Sequence, residues 1–133
     1  MLLNHLSFAN GVALSRNNDF LLISETTTGR IHKFWLRGPR IHRTDLLLTV
    51  SGLPDNINRD SAGNFWIAQV LGPPPRRLSR DGGVPIKIDE QGHILEWLDG
   101  RYGERVTIAS DVKEVDGRVW IGSITSSFVE VSY

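Results

Sequence analysis

The sequence contains no cysteine, which excludes disulfide bonds and thiolate metal sites and leaves the compartment open. It also lacks a charge excess, because 15 basic side chains balance 15 acidic ones. Bulk charge therefore gives no reason to expect a nucleic acid or an anionic membrane as partner. No apolar run is long enough to span a bilayer, and the start carries neither a basic segment nor a long apolar stretch. We expect a soluble, cytoplasmic protein without a signal peptide.

A sustained helical pattern is missing as well, since apolar residues do not recur at i, i+3 and i+4 over windows of about ten residues. Turn-forming residues are present instead. The 13 glycines and 6 prolines lie mainly between short runs rich in Val, Ile, Leu, Phe and Trp. This alternation of short apolar runs and turn residues predicts an all-β protein, and 133 residues are enough for one domain.

Three stretches of the chain repeat one design, in which a small polar pair opens a short strand and a turn leads to an apolar second strand. The units span residues 8–50, 54–98 and 106–133, and Leu21, Trp66 and Trp120 hold equivalent places in them. A repeat of four strands over about 40–50 residues is typical of a β-propeller blade. We therefore predict a single domain built as a β-propeller.

The predicted strands follow from the apolar runs and their turns. They cover residues 2–6, 10–15, 20–24, 30–36, 44–50, a run opened by 54–56 that ends before 61, 65–70, 84–89, 93–98, 106–115, 118–123 and 128–133. Residues 30–36 alternate polar and apolar side chains, which predicts a strand with one buried face. Asp116-Gly117 between two such runs is a strong hairpin signal.

This count gives three four-stranded blades, with residues 2–6 serving as the outer strand of a blade whose other strands lie elsewhere. Three blades cannot close, because closed propellers have about 4–8. One prediction is a two-fold homodimer of half-propellers, in which residues 2–6 of one chain pair with residues 128–133 of the other. The alternative is that the chain is a piece of a longer protein.

Several runs, taken in order, resemble the strictosidine synthase-like family. They are Phe8-Ala9-Asn10-Gly11-Val12-Ala13-Leu14-Ser15 and residues 24–27, 30–39, 52–57, 83–98 and 116–123. The resemblance implies a six-bladed propeller related to paraoxonases, gluconolactonases and other calcium-dependent lactonases. It further implies that this chain corresponds to the C-terminal half only.

The resemblance also implies a metal site at the pore. Asn10 matches an asparagine that binds calcium in the lactonase relatives, and Asp55 and Asn56 match an adjacent pair that does the same. Asp111 holds the comparable place in the third unit and joins the set. Carboxylate and amide oxygens suit calcium. Structural alternatives stay open: Asn10-Gly11 is also a favoured turn dipeptide, and Asp55-Asn56 and Asp111 can serve local hydrogen bonds.

The sequence departs from the family at points that bear on function. Ser110 stands where the plant synthases carry their catalytic glutamate, so we do not expect the condensation activity, and no catalytic base is identified. Two functions remain. One is a calcium-dependent hydrolase of small lactones or esters with its site at the pore. The other is a non-catalytic propeller that binds a small ligand or a protein partner.

Overall fold

The computed structural model describes residues 4–70, 84–99, 108–124 and 129–131. These residues form strands and turns, and no helix occurs among them. The strands are β1 (Ala9–Leu14), β2 (Phe20–Glu25), β3 (Arg30–Trp35), β4 (Thr44–Thr49), β5 (Leu53–Arg59), β6 (Phe65–Val70), β7 (Ile86–Ile88), β8 (Ile94–Trp97), β9 (Asp111–Val115), β10 (Arg118–Gly122) and β11 (Val129–Val131). Accordingly, the described residues contain no helix long and apolar enough to cross a membrane.

The strands assemble into three antiparallel sheets that follow the order of the chain. The first sheet has the order β1-β2-β3-β4, the second β5-β6-β7-β8, and the third β9-β10-β11. Every neighbouring pair is antiparallel. The prediction of an all-β chain made of repeated antiparallel units is confirmed.

The turns explain why the strands end where they do. After β1, the Ser15 hydroxyl accepts the backbone N–H of Asp19 at 2.9 Å. At the same place after β5, the Asp60 carboxylate accepts the backbone N–H groups of Ala62 and Asn64, both at 2.9 Å. Short polar side chains at these positions satisfy backbone donors in the turn, so the chain reverses and the next strand pairs back.

The hairpin predicted at Asp116-Gly117 is confirmed. Both residues have positive φ angles, of 51° and 74°, as a type I′ turn requires. Val115 and Arg118 on either side pair across the turn, and the register continues to Gly122 opposite Asp111. Glycine carries the second positive φ without steric cost, which explains why this dipeptide connects two strands so directly.

The hydrophobic core lies in two layers, one on each side of the second sheet. Phe65 and Ile67 pack against the first sheet, whereas their neighbours Trp66 and Ala68 pack against the third. Successive side chains of a strand point to opposite faces, so residues 65–68 of β6 are all apolar because both faces of the strand are buried. The first layer also contains Ala13, Phe20, Leu22, Ile31, Val50, Ile57, Ile86 and Ile88, and the second Leu98, Ala109, Val112, Val119 and Ile121.

Three predicted strands differ from those observed. Residues 4–6 belong to no strand, so the strand predicted at 2–6 is not formed in the described part of the chain, where no neighbouring strand pairs with it. Of the strand predicted over 106–115, residues 106 and 107 lie outside the described residues, Ile108 forms an isolated bridge with Val70, and the regular strand begins at Asp111. Ser110 donates its backbone N–H to the carbonyl of Gly122 outside the regular ladder. Of the last predicted strand, residues 129–131 are observed; residues 128, 132 and 133 lie outside the described residues.

Candidate functional site

The first strands of the three sheets lie side by side, β1 next to β5 and β5 next to β9. Two of them carry a β-bulge at the same place. The pairing shifts between Ala9 and Val12 in β1, and between Pro54 and Ile57 in β5. Each bulge therefore contains one of the dipeptides selected from the sequence, 10–11 or 55–56. A bulge adds one residue to the strand and re-aims its side chains.

Asn10-Gly11 is accordingly not a hairpin turn, as one interpretation of the sequence had it, but part of β1. Gly11 allows a close approach of the two inner strands. A Cβ atom at this position would lie 2.8 Å from the backbone nitrogen of Ile57 and 2.9 Å from the Cα atom of Asn56, and would also collide with the Asp55 carbonyl. Glycine is needed here because backbone, which cannot swing aside, occupies the space of a side chain.

Ser24, which is completely buried in β2, joins the two bulges. Its hydroxyl donates a hydrogen bond to the carbonyl of Asp55 at 2.7 Å and accepts the backbone N–H of Gly11 at 2.6 Å. A single side chain thus satisfies polar backbone groups that the irregular pairing leaves without a ladder partner. Ser24 fixes the position of the Asp55 backbone relative to β1.

Three of the four predicted metal ligands come together at the start of the inner strands. Burial raises the pKa of the Asp55 carboxyl; a hydrogen bond with the Asn10 side chain opposes this rise, and the negative charge of Asp111 adds to it. Asn10 of the first sheet and Asp111 of the third therefore each interact with Asp55 of the second. The two half-buried carboxylates repel one another, and a cation nearby would relieve that repulsion.

Asn58 orients the Asp111 carboxylate and was not predicted as a site residue. Its Nδ2 donates hydrogen bonds to the Asp111 Oδ1 and to the carbonyl of Val112, the latter at 2.8 Å. The available signal was the spacing of Asn56 and Asn58, two residues apart on one strand, which places both on one face. Ser24 was also missed as a site residue, although it is the polar end of an otherwise apolar run.

Asn56 is the predicted ligand that the structure does not bring to the other three. It is exposed, and its contact is through the backbone, whose N–H donates to the carbonyl of Ser110 at 3.3 Å. Within the described residues, no group of three or more His, Cys, Asp and Glu side chains is arranged to hold a metal. The set at the inner strands consists of two carboxylates and neighbouring amides.

Solved structures with the same fold define the class of protein. The chain superimposes on a luciferin-regenerating enzyme with a TM-score of 0.67 at 20% identity, over 89% of this chain and 38% of the other. It superimposes equally well, with a TM-score of 0.67, on a gluconolactonase from Xanthomonas campestris at 22% identity, over 91% of this chain and 36% of that one. These likenesses show the fold, and the chain is a propeller-like all-β protein.

Sequence comparisons give the family. The profile of the family described as Strictosidine synthase matches residues 1–39. The Arabidopsis thaliana protein strictosidine synthase-like 10 is 38% identical over 98% of this chain and 42% of its own length; strictosidine synthase-like 3 of the same plant is 30% identical over 98% and 40%. The resemblance to the strictosidine synthase-like superfamily is confirmed. The chain spans about two fifths of the length of these relatives.

Proposed function

We propose that the inner-strand site binds calcium and belongs to a hydrolase of small lactones or esters. The observation that carries this proposal is the convergence of Asn10, Asp55 and Asp111, three oxygen-bearing side chains from three sheets. The likeness to a gluconolactonase in fold, at an identity too low to transfer an activity, is consistent with it. The family resemblance supplies the metal and the reaction class.

The residues present fit a calcium ion in chemical type. Calcium takes about 6–8 oxygen ligands from carboxylates, amide carbonyls, backbone carbonyls and water. Asp55 and Asp111 supply two carboxylates, Asn10 supplies an amide, and Asn56 lies exposed beside Asp55. The raised pKa of the Asp55 carboxyl, caused first by burial, marks a place that favours a positive charge nearby.

The chain's own groups hold this arrangement ready. Asn58 donates to Asp111 and leaves its carboxylate oriented, while Ser24 holds the carbonyl of Asp55 at 2.7 Å. A bound calcium ion would act as a Lewis acid that polarises a substrate carbonyl. Ser110 does not replace the glutamate of the plant synthases, since its hydroxyl donates to the carbonyl of Gly122 at 3.3 Å. We therefore propose hydrolysis and not condensation.

The experiment is a calorimetric titration of metal-stripped protein with calcium, accompanied by melting curves. We expect saturable binding and a melting temperature that rises with calcium, because a ligand that binds only the folded state stabilises it. Asp55→Asn should abolish both effects, while Asp116→Asn, which removes the same charge from the exposed β9–β10 turn, should leave them intact. A wild-type protein that ignores millimolar calcium would refute the metal site.

The second candidate is a non-catalytic propeller module that binds a small ligand or a protein. The observation in its favour is that Ser110, at the place of the plant synthases' catalytic glutamate, uses its hydroxyl to donate to the carbonyl of Gly122. A screen of aryl esters and lactones separates the two functions. Turnover that calcium supports and Asp55→Asn removes would favour the hydrolase; calcium binding without turnover would favour the module.

A homodimer that completes a six-bladed propeller remains part of this proposal, with residues 2–6 pairing to residues 128–133 of the second copy. Its support is the face of the first sheet turned away from the second, where Val12 and Leu46 are each 56% exposed. Apolar side chains on an open sheet face favour a covering layer. Light scattering tests the assembly, and a mass of one chain in solution would end the dimer.

A further inference from the structure

A second feature of the inner strands lies at the ends of β1 and β5 opposite Asn10 and Asp55. There a cavity of about 390 Å³ opens between the first strands of the three sheets and the turn after β1. Its polar lining includes Arg16 and Asn18 from that turn, Asn58 and Arg59 from β5, and Lys113 from β9. We call this space the cationic cavity.

The charged side chains among the described residues that line the cationic cavity have one sign. Arg16, Arg59 and Lys113 come from three different segments, and no aspartate or glutamate is among the described residues that line the cavity. Bringing three cations to one space costs electrostatic energy unless an anion compensates them. The low-dielectric walls of a cleft focus such a field and raise the local concentration of anions.

The cationic cavity lies beyond Asp55 but borders the candidate calcium site at Asp111. Asp55 and Arg59 are both in β5, four residues apart, which corresponds to roughly 13 Å along an extended strand and exceeds the Debye length of about 8 Å at physiological ionic strength. Asn58, which lines the cavity, donates to Asp111, and Lys113 follows Asp111 by two residues on β9. An anion in the cavity therefore lies far from the Asp55 carboxylate but not from that of Asp111.

One of the cations is already positioned. The Arg59 Nη1 donates a hydrogen bond to the carbonyl of Leu14 at 3.2 Å, which links β5 to β1 and restrains the guanidinium. A guanidinium has five donors in a rigid fork, so one bond to a carbonyl leaves others for a ligand. Lys113 is exposed on β9 and provides a mobile point charge from the other side.

We propose that the cationic cavity binds a compact anionic group, a carboxylate or a phosphate, of a small molecule. Guanidinium and ammonium groups bind both of these through charge-assisted hydrogen bonds, and the cavity has the volume for a small ligand. The proposal does not depend on calcium or on hydrolysis, since none of the three cations belongs to the metal site.

The test is a calorimetric titration of the metal-free chain at low ionic strength, first with inorganic phosphate and then with succinate. We expect saturable binding of at least one anion and its loss on raising the salt concentration. Lys113→Gln should raise the dissociation constant of the anion about tenfold, because it removes one charge-assisted contact. Arg43→Gln is the matched control, since this exposed arginine loses the same charge outside the cavity.

The outcomes separate the ligand classes and the two proposals. Binding of phosphate alone identifies a phosphate-bearing ligand, and binding of succinate alone a carboxylate-bearing one. Asp55→Asn should change the anion affinity less than about twofold, because the separation screens its charge. Absence of saturable binding to the folded wild-type chain overturns the proposal. Equal weakening by Arg43→Gln and Lys113→Gln does so too, and Arg16→Gln replaces Lys113→Gln if that variant fails to fold.

Discussion

The junction between the first and second sheets and the junction between the second and third are built around equivalent lysines. Lys33 pairs with Leu22, and Lys87 pairs with Trp66, at the same register of the third strand of each sheet. Each amine reaches the following unit of the chain. Lys33 Nζ donates to the carbonyl of Glu90 at 2.6 Å, and Lys87 Nζ lies 2.9 Å from the Glu114 carboxylate.

The two amines nevertheless have opposite electrostatics. Burial lowers the pKa of Lys33 below its usual value of 10.5, and its Nζ lies 4.0 Å from the centre of the Phe20 ring. Burial acts in the same direction on Lys87, but hydrogen bonds and the charges of Asp60 and Glu114 outweigh it and raise the pKa. Equivalent positions of two sheets thus hold lysines in different surroundings. Lys33 lies against the aromatic ring of Phe20, whereas Lys87 is paired with the carboxylates of Asp60 and Glu114.

The largest effect that this difference predicts is for Lys87→Met. The substitution leaves the Asp60 and Glu114 carboxylates without their cation, and Asp60 has only 2% of its side chain exposed. Removal of one partner of a buried pair costs about 3 kcal/mol or more in free energy of unfolding. Denaturant unfolding near neutral pH is the measurement.

The pH dependence provides the control for Lys87. Because the folded protein raises this pKa, the stabilisation is complete below 10.5 and is lost as the pH rises through the higher folded value. The difference in free energy of unfolding between the wild type and Lys87→Met should therefore decrease only above about pH 10.5. A variant as stable as the wild type at pH 7 would show that the second junction does not depend on the ion pair.

A smaller effect is expected for Gly11→Ala, which tests how closely the inner strands approach at the first junction. The new methyl group would lie 2.8 Å from the backbone nitrogen of Ile57, so β1 or β5 must move. Overpacking of this kind costs about 1–3 kcal/mol. Gly122→Ala is the matched control, since its methyl group would lie at an ordinary 3.5 Å from the Cβ of Asp111 and should change stability by less than about 1 kcal/mol.

The smallest effect is predicted for Lys33→Met. The substitution removes the desolvation cost of a buried cation together with one hydrogen bond and a cation–π contact. These contributions oppose each other, so the free energy of unfolding should change by less than about 1 kcal/mol near pH 7.

The sign of the pH effect distinguishes Lys33 from Lys87. Since the Lys33 pKa is lowered in the folded state, the unfolded state binds more protons between the folded value and 10.5, and wild-type stability gains from Lys33 as the pH rises through that window. The free energy of unfolding of Lys33→Met should therefore fall relative to that of the wild type at alkaline pH. A cost above about 3 kcal/mol at pH 7 would mean that Lys33 is paired in the same way as Lys87.

Much of the fold follows from local pattern. The hairpin at Asp116-Gly117 needs two positive φ angles, and only a few residue types supply them, so the sequence determines it. The run at residues 65–70 was likewise predicted as a strand, and β6 covers the same residues. The alternation in β3 predicted one buried face, and this was wrong: Lys33 and Phe34, which point to opposite faces, are both buried. A lysine covered by aromatic rings from its own sheet has no signal in a linear pattern.

The residues of the candidate site could be chosen from the sequence, but their geometry could not. The resemblance identified Asn10, Asp55 and Asn56, and the repeat added Asp111; Asn10 and Asp111 each interact with the Asp55 carboxyl. Their role as metal ligands stays a prediction. Asn56 was chosen with its neighbour, yet it is exposed, and its backbone N–H donates to the carbonyl of Ser110. Ser24 and Asn58 act across sheets, at sequence separations that no local motif reveals.

The paired bulges in β1 and β5 have a consequence for insertions and deletions. Each bulge places two residues opposite one, so the residues on both sides of it keep the face that the partner strand sets: Ala9 pairs with Glu25 and Val12 with Ile23. Loss of one bulge residue would therefore restore regular pairing without turning the flanking residues over. Single-residue deletions at residues 10–11 or 55–56 should preserve the sheets while removing the re-aimed side chains of the inner-strand site.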